Sequence, residues 1–144
     1  MKTNIKKLIA MEKEPAVIKK RFTYRGRDCV IIWVMGHFNA YVETTLKGMN
    51  YSRKRNRDIG PDAKITCHGG LTYSGKLNYY GIDELKDTKK WYFGMDFAHA
   101  WDYMEWCSMK DAHKWKLNEV VKETKQLCDE VIKYEAFYRR QKRK

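Results

Sequence analysis

The chain has 144 residues, 43% of them hydrophobic and 14% aromatic, which is long enough and apolar enough for one folded domain. Thirty lysines and arginines against 18 acidic residues give a formal net charge of +12. This charge favours an anionic partner: nucleic acid, a phosphorylated small molecule or an acidic protein surface. No apolar run is as long as a membrane span, and the first residues do not resemble a secretory signal, so we expect a cytoplasmic protein without membrane contact.

The four cysteines are far apart and form no C-x-x-C pair; they are Cys29, Cys67, Cys107 and Cys128. Zinc sites built from cysteine need close spacing, and disulfides need an oxidising compartment. We therefore expect reduced, mostly buried thiols.

Residues 1–20 form a lysine-rich N-terminal segment. The apolar residues Ile5, Leu8 and Ile9 have helical spacing, and Pro15 bounds the pattern. The sequence predicts a short amphipathic helix here.

From Arg21 the pattern changes to that of strands. Arg21–Arg25 precedes a turn at Gly26, and the continuously apolar run that follows, 28–35, is typical of a strand covered on both faces. Gly36 ends this run, and residues 39–45 alternate. We predict a three-stranded antiparallel meander.

Residues 47–62 have the composition of a loop that is unusually basic. Arg53, Arg55 and Arg57 lie close together near Tyr51. Guanidinium groups bind phosphate through two parallel hydrogen bonds, so this loop is a candidate phosphate clamp. The alternative is a solvated basic loop without a ligand.

We predict a short strand over 65–67 and, after it, a glycine- and hydroxyl-rich loop at 68–75. Glycine permits positive φ and close backbone approach to a ligand, and hydroxyl groups donate hydrogen bonds. It is not a phosphate loop of the G-x-x-x-x-G-K-[ST] type, because Leu77 follows Lys76. A tight β-hairpin is the alternative. The candidate ligand-binding residues here are His68, Gly69, Gly70, Thr72, Tyr73 and Ser74.

Residues 77–90 are polar and predict a surface excursion, whereas 91–108 combine apolar bulk with regularly spaced polar groups. We predict a buried strand over 91–95, followed by a turn or short helix. Asp96, His99 and Asp102 recur at every third position and share one broad face of a helix, and Glu105 and Ser108 have rotated away from it. Buried charges need a partner, so these three groups either form a site or satisfy one another beside the core.

The C-terminal region predicts one long helix. Asp111 is a good N-cap, and apolar residues recur at helical spacing over 112–137, so 111–138 is the predicted helix and 139–144 a basic tail. The predicted fold is α+β, a single domain over 1–144 in which 21–110 supplies an antiparallel β-sheet and the site loops. The apolar face of the helix is broad for one small sheet, which predicts a homo-oligomer; it includes Leu117, Val121, Val131 and Ile132.

Three stretches resemble the signature of a family of small phage and prophage proteins, mostly described as hypothetical proteins. His68-Gly-Gly-Leu-Thr-Tyr-Ser-Gly75 and the stretch from Trp91 to Asp102 are similar to H-G-G-L-T-Y-S-G … W-W-x-G-F-D-x-A-H-x-G-D, and 36–42 resembles G-H-W-N-G-Y-V. Trp101 departs from the pattern, since the family has glycine there. The resemblance implies a phage context, and small phage proteins of this kind include counter-defence proteins that sequester nucleotide immune signals; the compartment would then be the host cytoplasm.

Three functions follow as hypotheses. The first is a sponge that holds an anionic nucleotide-like signal, such as a cyclic nucleotide or a cyclic ADP-ribose type molecule, with Trp91 or Tyr73 stacking on the base. The second is a metal-dependent hydrolase or phosphoesterase whose candidate catalytic residues are His68, Asp96, His99 and Asp102. The third is a nucleic-acid or nucleoprotein binder that uses the basic loop and tail. We prefer the sponge and assign no metal and no cofactor.

His68, Asp96, His99 and Asp102 are expected to lie close together in the fold, although up to 34 positions separate them in the sequence (102 − 68). An unpaired buried polar group costs about 1–3 kcal/mol, and more if it is charged. Mutual contact is the simplest remedy that this sequence offers.

Overall fold

A computed structural model describes residues 2–52 and 59–143 of the chain, and within them the fold is α+β as predicted. The elements are β1 Lys2–Thr3, α1 Ile5–Glu12, β2 Val17–Tyr24, β3 Arg27–Val34, β4 His37–Thr44, α2 Pro61–Lys64, β5 Tyr73–Gly75, β6 Trp91–Asp96, β7 Cys107–Ser108 and α3 Leu117–Lys142. A five-stranded antiparallel sheet has the order β2-β3-β4-β6-β5, and a short pair, β1 and β7, lies apart from it. The long C-terminal helix α3 packs on one face of the larger sheet.

The predicted meander is confirmed by β2, β3 and β4, which are joined by two-residue turns. Both turns, Arg25–Gly26 and Met35–Gly36, have positive φ at each central residue, and such turns match the twist of antiparallel strands. Strand β2 begins at Val17 and not at the predicted Arg21, because Val17 pairs with Trp33 at the far end of β3. The predicted N-terminal helix is confirmed as α1.

Strand β3 is buried on both sides, and the two faces have separate cores. Cys29 and Ile31 pack under α3, whereas Val30 and Ile32 pack with Leu77 and Leu85 on the opposite face. The prediction that 77–90 is only a surface excursion is therefore wrong in part. A strand that is apolar on both sides needs cover on both sides, and this segment supplies the second layer.

The edge of the sheet beside β6 differs from the predicted arrangement. Residues 65–67 form no strand, so the predicted strand there is wrong; its place is taken by β5, which pairs with β6 from Tyr73–Gly94 to Gly75–Tyr92. Hydrogen bonding begins just before β5, where the Thr72 amide donates to the Gly94 carbonyl oxygen. The 68–72 stretch is therefore a loop that leads into the edge strand.

Helix α3 begins at Leu117, later than the predicted N-cap at Asp111, which has a φ of +66° in a turn. The helix is capped instead by Glu119, whose carboxylate accepts from the Lys116 amide at 2.8 Å. It continues to Lys142, so most of the predicted basic tail is helical. The Arg139 guanidinium donates to Thr45 Oγ1 at 2.9 Å, which ties the last turns of the helix to the segment just after β4.

The apolar face of α3 is used within the chain. Val131 is fully buried in the core under the sheet, and Leu117, Val121 and Ile132 pack against the same core. The breadth of this face therefore gives no argument for an oligomer, and the oligomer stays a prediction.

The cysteines and the helices bear on two further sequence predictions. Cys29, Cys107 and Cys128 are buried, Cys67 is partly buried, and all four are free thiols, as predicted. Within the described ranges, no helix combines the length and apolar character required to cross a bilayer.

Candidate functional site

The centre of the candidate site is the carboxylate of Asp102, which is fully buried. His68 Nε2 lies 2.9 Å from both of its oxygens, and His99 Nδ1 lies 3.0 Å from Oδ2. The His99 amide donates to Oδ2 at 3.0 Å and Trp115 Nε1 donates to Oδ1 at 2.8 Å. One buried carboxylate thus holds two imidazole rings that come from separate loops.

These contacts decide the charge of the central group. Burial by itself would raise the pKa of Asp102, but the hydrogen bonds from His68, the His99 amide and Trp115 outweigh it and hold the pKa below its usual range. The carboxylate is therefore ionised at neutral pH inside an aromatic shell.

The ring of His68 is fixed by aromatic contacts as well as by Asp102. It stacks on Phe97 with 4.5 Å between ring centroids, and the edge of Trp115 meets it at 4.8 Å. The side chain is only 12% exposed. Its orientation is therefore preset, which is a requirement of binding and catalytic sites.

His99 lies at the outer side of the same cluster, 5.3 Å from His68 between ring centroids. Its second nitrogen, Nε2, is 3.8 Å from Asp96 Oδ1, and its ring stacks on the exposed Trp101. A Cβ placed on Gly69 would lie 2.0 Å from His99 Cε1, so the backbone here can approach the ring only because this position is glycine.

The loop that carries His99 and Asp102 is shaped by its own polar groups. Asp96 Oδ1 accepts from the Ala98 amide at 3.1 Å as β6 ends, and the Asp102 amide donates to the His99 carbonyl oxygen. Aspartate often stabilises turns by such local hydrogen bonds. The 101–103 backbone also pairs with His113, which brings Trp115 onto Asp102.

The structure thus brings His68, His99 and Asp102 into contact, with Asp96 beside His99, as expected from the sequence. Gly69 belongs to the same site. Gly70 is part of the adjoining turn, where its amide donates to the Cys67 carbonyl oxygen, and a Cβ added there would meet nothing within 4 Å.

The other predicted site residues do not reach the histidines. Trp91 and Asp96 occupy opposite ends of β6, which separates them by about 17 Å at 3.3 Å per residue. Tyr73 packs against Tyr41 on the face away from α3, and the Thr72 side chain is exposed. These residues therefore lie apart from the histidine cluster, because a strand holds its two ends apart, and their part in ligand binding stays a prediction. Arg53, Arg55 and Arg57 lie outside the described residues.

A second feature, the α3 cleft, lies at the Trp91 end of the sheet. It has a volume of about 570 Å³ and lies between the segment after β4 and the end of α3. Its polar and aromatic lining residues are Thr45, Lys47, Asn50, Tyr138 and Lys142, and within the described parts of the chain no acidic side chain lines it. Trp91 Nε1 donates to the Met49 carbonyl oxygen at 2.9 Å, which ties the wall of the cleft to β6.

Sequence reasoning missed Trp115, Phe97 and the α3 cleft. Trp115 carries a weak signal, since it is a lone aromatic residue between two lysines just before a helix. The cleft carries none, because its walls come from segments about 90 positions apart.

No family model, curated protein or solved structure matches the chain. The phage-family resemblance therefore stays an expectation from the motifs.

Proposed function

We propose that the protein binds and sequesters an anionic, nucleotide-like small molecule, and that the ligand occupies the α3 cleft. The observation that carries the proposal is the cleft itself, whose wall, among the residues that the structure describes, includes two lysines and a tyrosine and no carboxylate. Its volume of about 570 Å³ is in the range of small-molecule sites.

The charges of the cleft favour phosphate. Lys47 and Lys142 line it, and Arg139 donates to Thr45 on its wall. The Lys142 ammonium lies 5.1 Å from the centre of the Tyr138 ring, so a cation is held beside an aromatic face. A nucleotide presents a phosphate and a flat base, which match such a pair of neighbours.

The wall of the cleft is anchored before any ligand binds. The Tyr51 amide donates to Ser74 Oγ at 2.9 Å, and Trp91 is bonded to the Met49 carbonyl oxygen. Trp91 and Ser74, both named from the sequence as ligand contacts, thus support the wall from β6 and β5. Because a preformed site loses less entropy on binding, this anchoring favours tight retention.

Sequestration needs no chemical step. The histidine cluster lies at the other end of β6 from the cleft, so it cannot attack a ligand held beside Lys142. A protein that holds a nucleotide signal intact lowers the signal's free concentration, and this agrees with the counter-defence role that the phage resemblance implies.

The test is calorimetric titration of the purified chain with a panel of cyclic dinucleotides and cyclic ADP-ribose isomers, followed by recovery of the ligand after denaturation. We expect one ligand to bind and to be recovered intact. Lys47→Ala and Lys142→Ala should each weaken binding about tenfold, the loss expected when one charged hydrogen bond is removed. Lys19→Ala, an exposed lysine of β2 outside the cleft, is the matched control and should leave affinity unchanged.

Three results would contradict the proposal. If no member of the panel gave binding heat, nucleotide-like ligands would be excluded. Recovery of a cleaved ligand would favour the metal-dependent hydrolase hypothesis. Binding to DNA or RNA that falls steeply with salt and depends equally on Lys19 and Lys47 would favour a nucleic-acid binder.

A further inference from the structure

The cluster around Asp102 has the composition of a metal site as well as that of a hydrogen-bond network. One ligand atom each from His68, His99 and Asp102 lies within 4.8 Å of the others. Asp102 Oδ2 is 2.9 Å from His68 Nε2 and 3.0 Å from His99 Nδ1. Ligand atoms on neighbouring corners of a tetrahedral zinc site are about 3.3 Å apart, given zinc–ligand bonds near 2.0–2.1 Å. Small shifts of the rings would therefore admit the ion.

The groups around these atoms also match those that surround bound zinc. Trp115 Nε1 donates to Asp102 Oδ1 and the His99 amide donates to Oδ2, so the carboxylate is oriented by donors other than the imidazoles. Asp96 Oδ1 lies 3.8 Å from His99 Nε2, the ring nitrogen that faces away from Asp102. A histidine that ligates metal commonly directs its other N–H toward such a carboxylate.

From this geometry we propose that His68 Nε2, His99 Nδ1 and Asp102 Oδ2 bind one Zn²⁺ ion, with Asp96 positioning His99 and a fourth position left for water. Two imidazoles and one carboxylate are a ligand set that zinc accepts readily. The site is independent of the α3 cleft, which lies at the other end of β6.

Zinc binding would change which ring nitrogen of His68 and of His99 carries a proton. In the metal-free chain His68 carries its proton on Nε2 and His99 on Nδ1, because both nitrogens donate to Asp102. To ligate zinc, each of these nitrogens gives its proton to water, and the ring keeps or takes up from water one proton at its other nitrogen, which is Nδ1 of His68 and Nε2 of His99. The second of these N–H groups points toward Asp96.

The first experiment is titration of chelator-treated protein with Zn²⁺, and with Co²⁺ as a spectroscopic substitute. We expect one ion per chain and a visible Co²⁺ band of tetrahedral intensity. His68→Gln and Asp102→Asn should abolish the band, and Asp96→Asn should weaken zinc binding about tenfold, as is usual when the carboxylate partner of a ligand is removed. Asp129→Asn, which changes an exposed carboxylate of α3 that is paired with Arg25, is the matched control and should bind normally.

The second experiment uses the wild-type chain alone, so it does not depend on whether a variant folds. Nitrogen-15 NMR reports which ring nitrogen carries the proton, and one equivalent of Zn²⁺ should reverse the tautomers of His68 and His99 but leave His113 unchanged. Unchanged tautomers, undiminished binding in folded His68→Gln, or loss of binding in Asp129→Asn would overturn the proposal. These experiments measure metal binding and histidine tautomers. A failed nucleotide titration at the α3 cleft would therefore not change the outcome for the zinc site.

Discussion

Replacing Glu135 by glutamine tests the buried ion pair that joins α3 to the sheet. The Glu135 carboxylate is 1% exposed and accepts from both Arg27 terminal nitrogens at 2.5 and 2.6 Å, from Thr44 Oγ1 at 2.7 Å and from the Thr45 amide at 2.9 Å. The glutamine amide removes the charge and turns one acceptor into a donor that faces other donors. The Arg27 side chain, only 15% exposed, then has no full counter-charge.

The expected loss follows from these contacts. Breaking a buried ion pair by changing one partner lowers the free energy of unfolding by about 3–5 kcal/mol. Glutamine keeps one acceptor oxygen, so we expect the lower end, about 3 kcal/mol. At about 3–4 °C per kcal/mol for a chain of this size, Tm should fall by about 10 °C.

The assay is urea unfolding at neutral pH, followed by circular dichroism. The matched control is Asp129→Asn, which removes the exposed partner of Arg25 and should lower the free energy of unfolding by no more than about 1 kcal/mol. The double variant Arg27→Met, Glu135→Leu should recover much of the loss, because apolar replacements leave no unpaired charge. Equal effects of Glu135→Gln and Asp129→Asn would refute this account of the pair.

Three further outcomes are expected. Gly69→Ala should destabilise the chain and displace the His99 ring. Gly70→Ala, which is also at positive φ but faces open space, should show only the cost of backbone strain. Equal unfolding midpoints for the two variants would contradict the close approach of Gly69 to the His99 ring. Burial opposes ionisation of Glu135, but its hydrogen bonds to Arg27 and Thr44 hold the pKa of this carboxyl below the ordinary value. The stabilisation by Glu135 is therefore complete above about pH 4.3 and is lost as the pH falls through the folded-state pKa. In urea unfolding measured at several pH values, the wild-type chain should lose stability in acid more steeply than Glu135→Gln. Burial raises the pKa of the Cys67 thiol to about 12, so iodoacetamide at pH 8 should alkylate it far more slowly than a free cysteine; a rate equal to that of free cysteine would contradict its burial.

The sequence alone determined the order and type of most elements, because these depend on local patterns. Turn residues at Gly26 and Gly36 separate runs of strand composition, and the 3.6-residue repeat in the C-terminal third has only one interpretation. The meeting of His68 with Asp102 was also predictable, since buried polar groups in apolar stretches need partners. Local patterns were weaker at boundaries, where Asp111 is a good N-cap by type but Glu119 caps the helix in fact.

Tertiary structure decided what lies next to what. Trp91 and Asp96 are five positions apart and read as one motif, yet an extended strand places one at the α3 cleft and the other at the histidine cluster. The fourth donor to Asp102 is Trp115, from a segment that becomes its neighbour only when 101–103 pairs with His113. The α3 cleft has no sequence signal, because Lys47 and Lys142 come to line the same cleft only when α3 packs across β2, β3 and β4. Pattern fixes each segment's own conformation, and the packing of segments distant in sequence creates the sites.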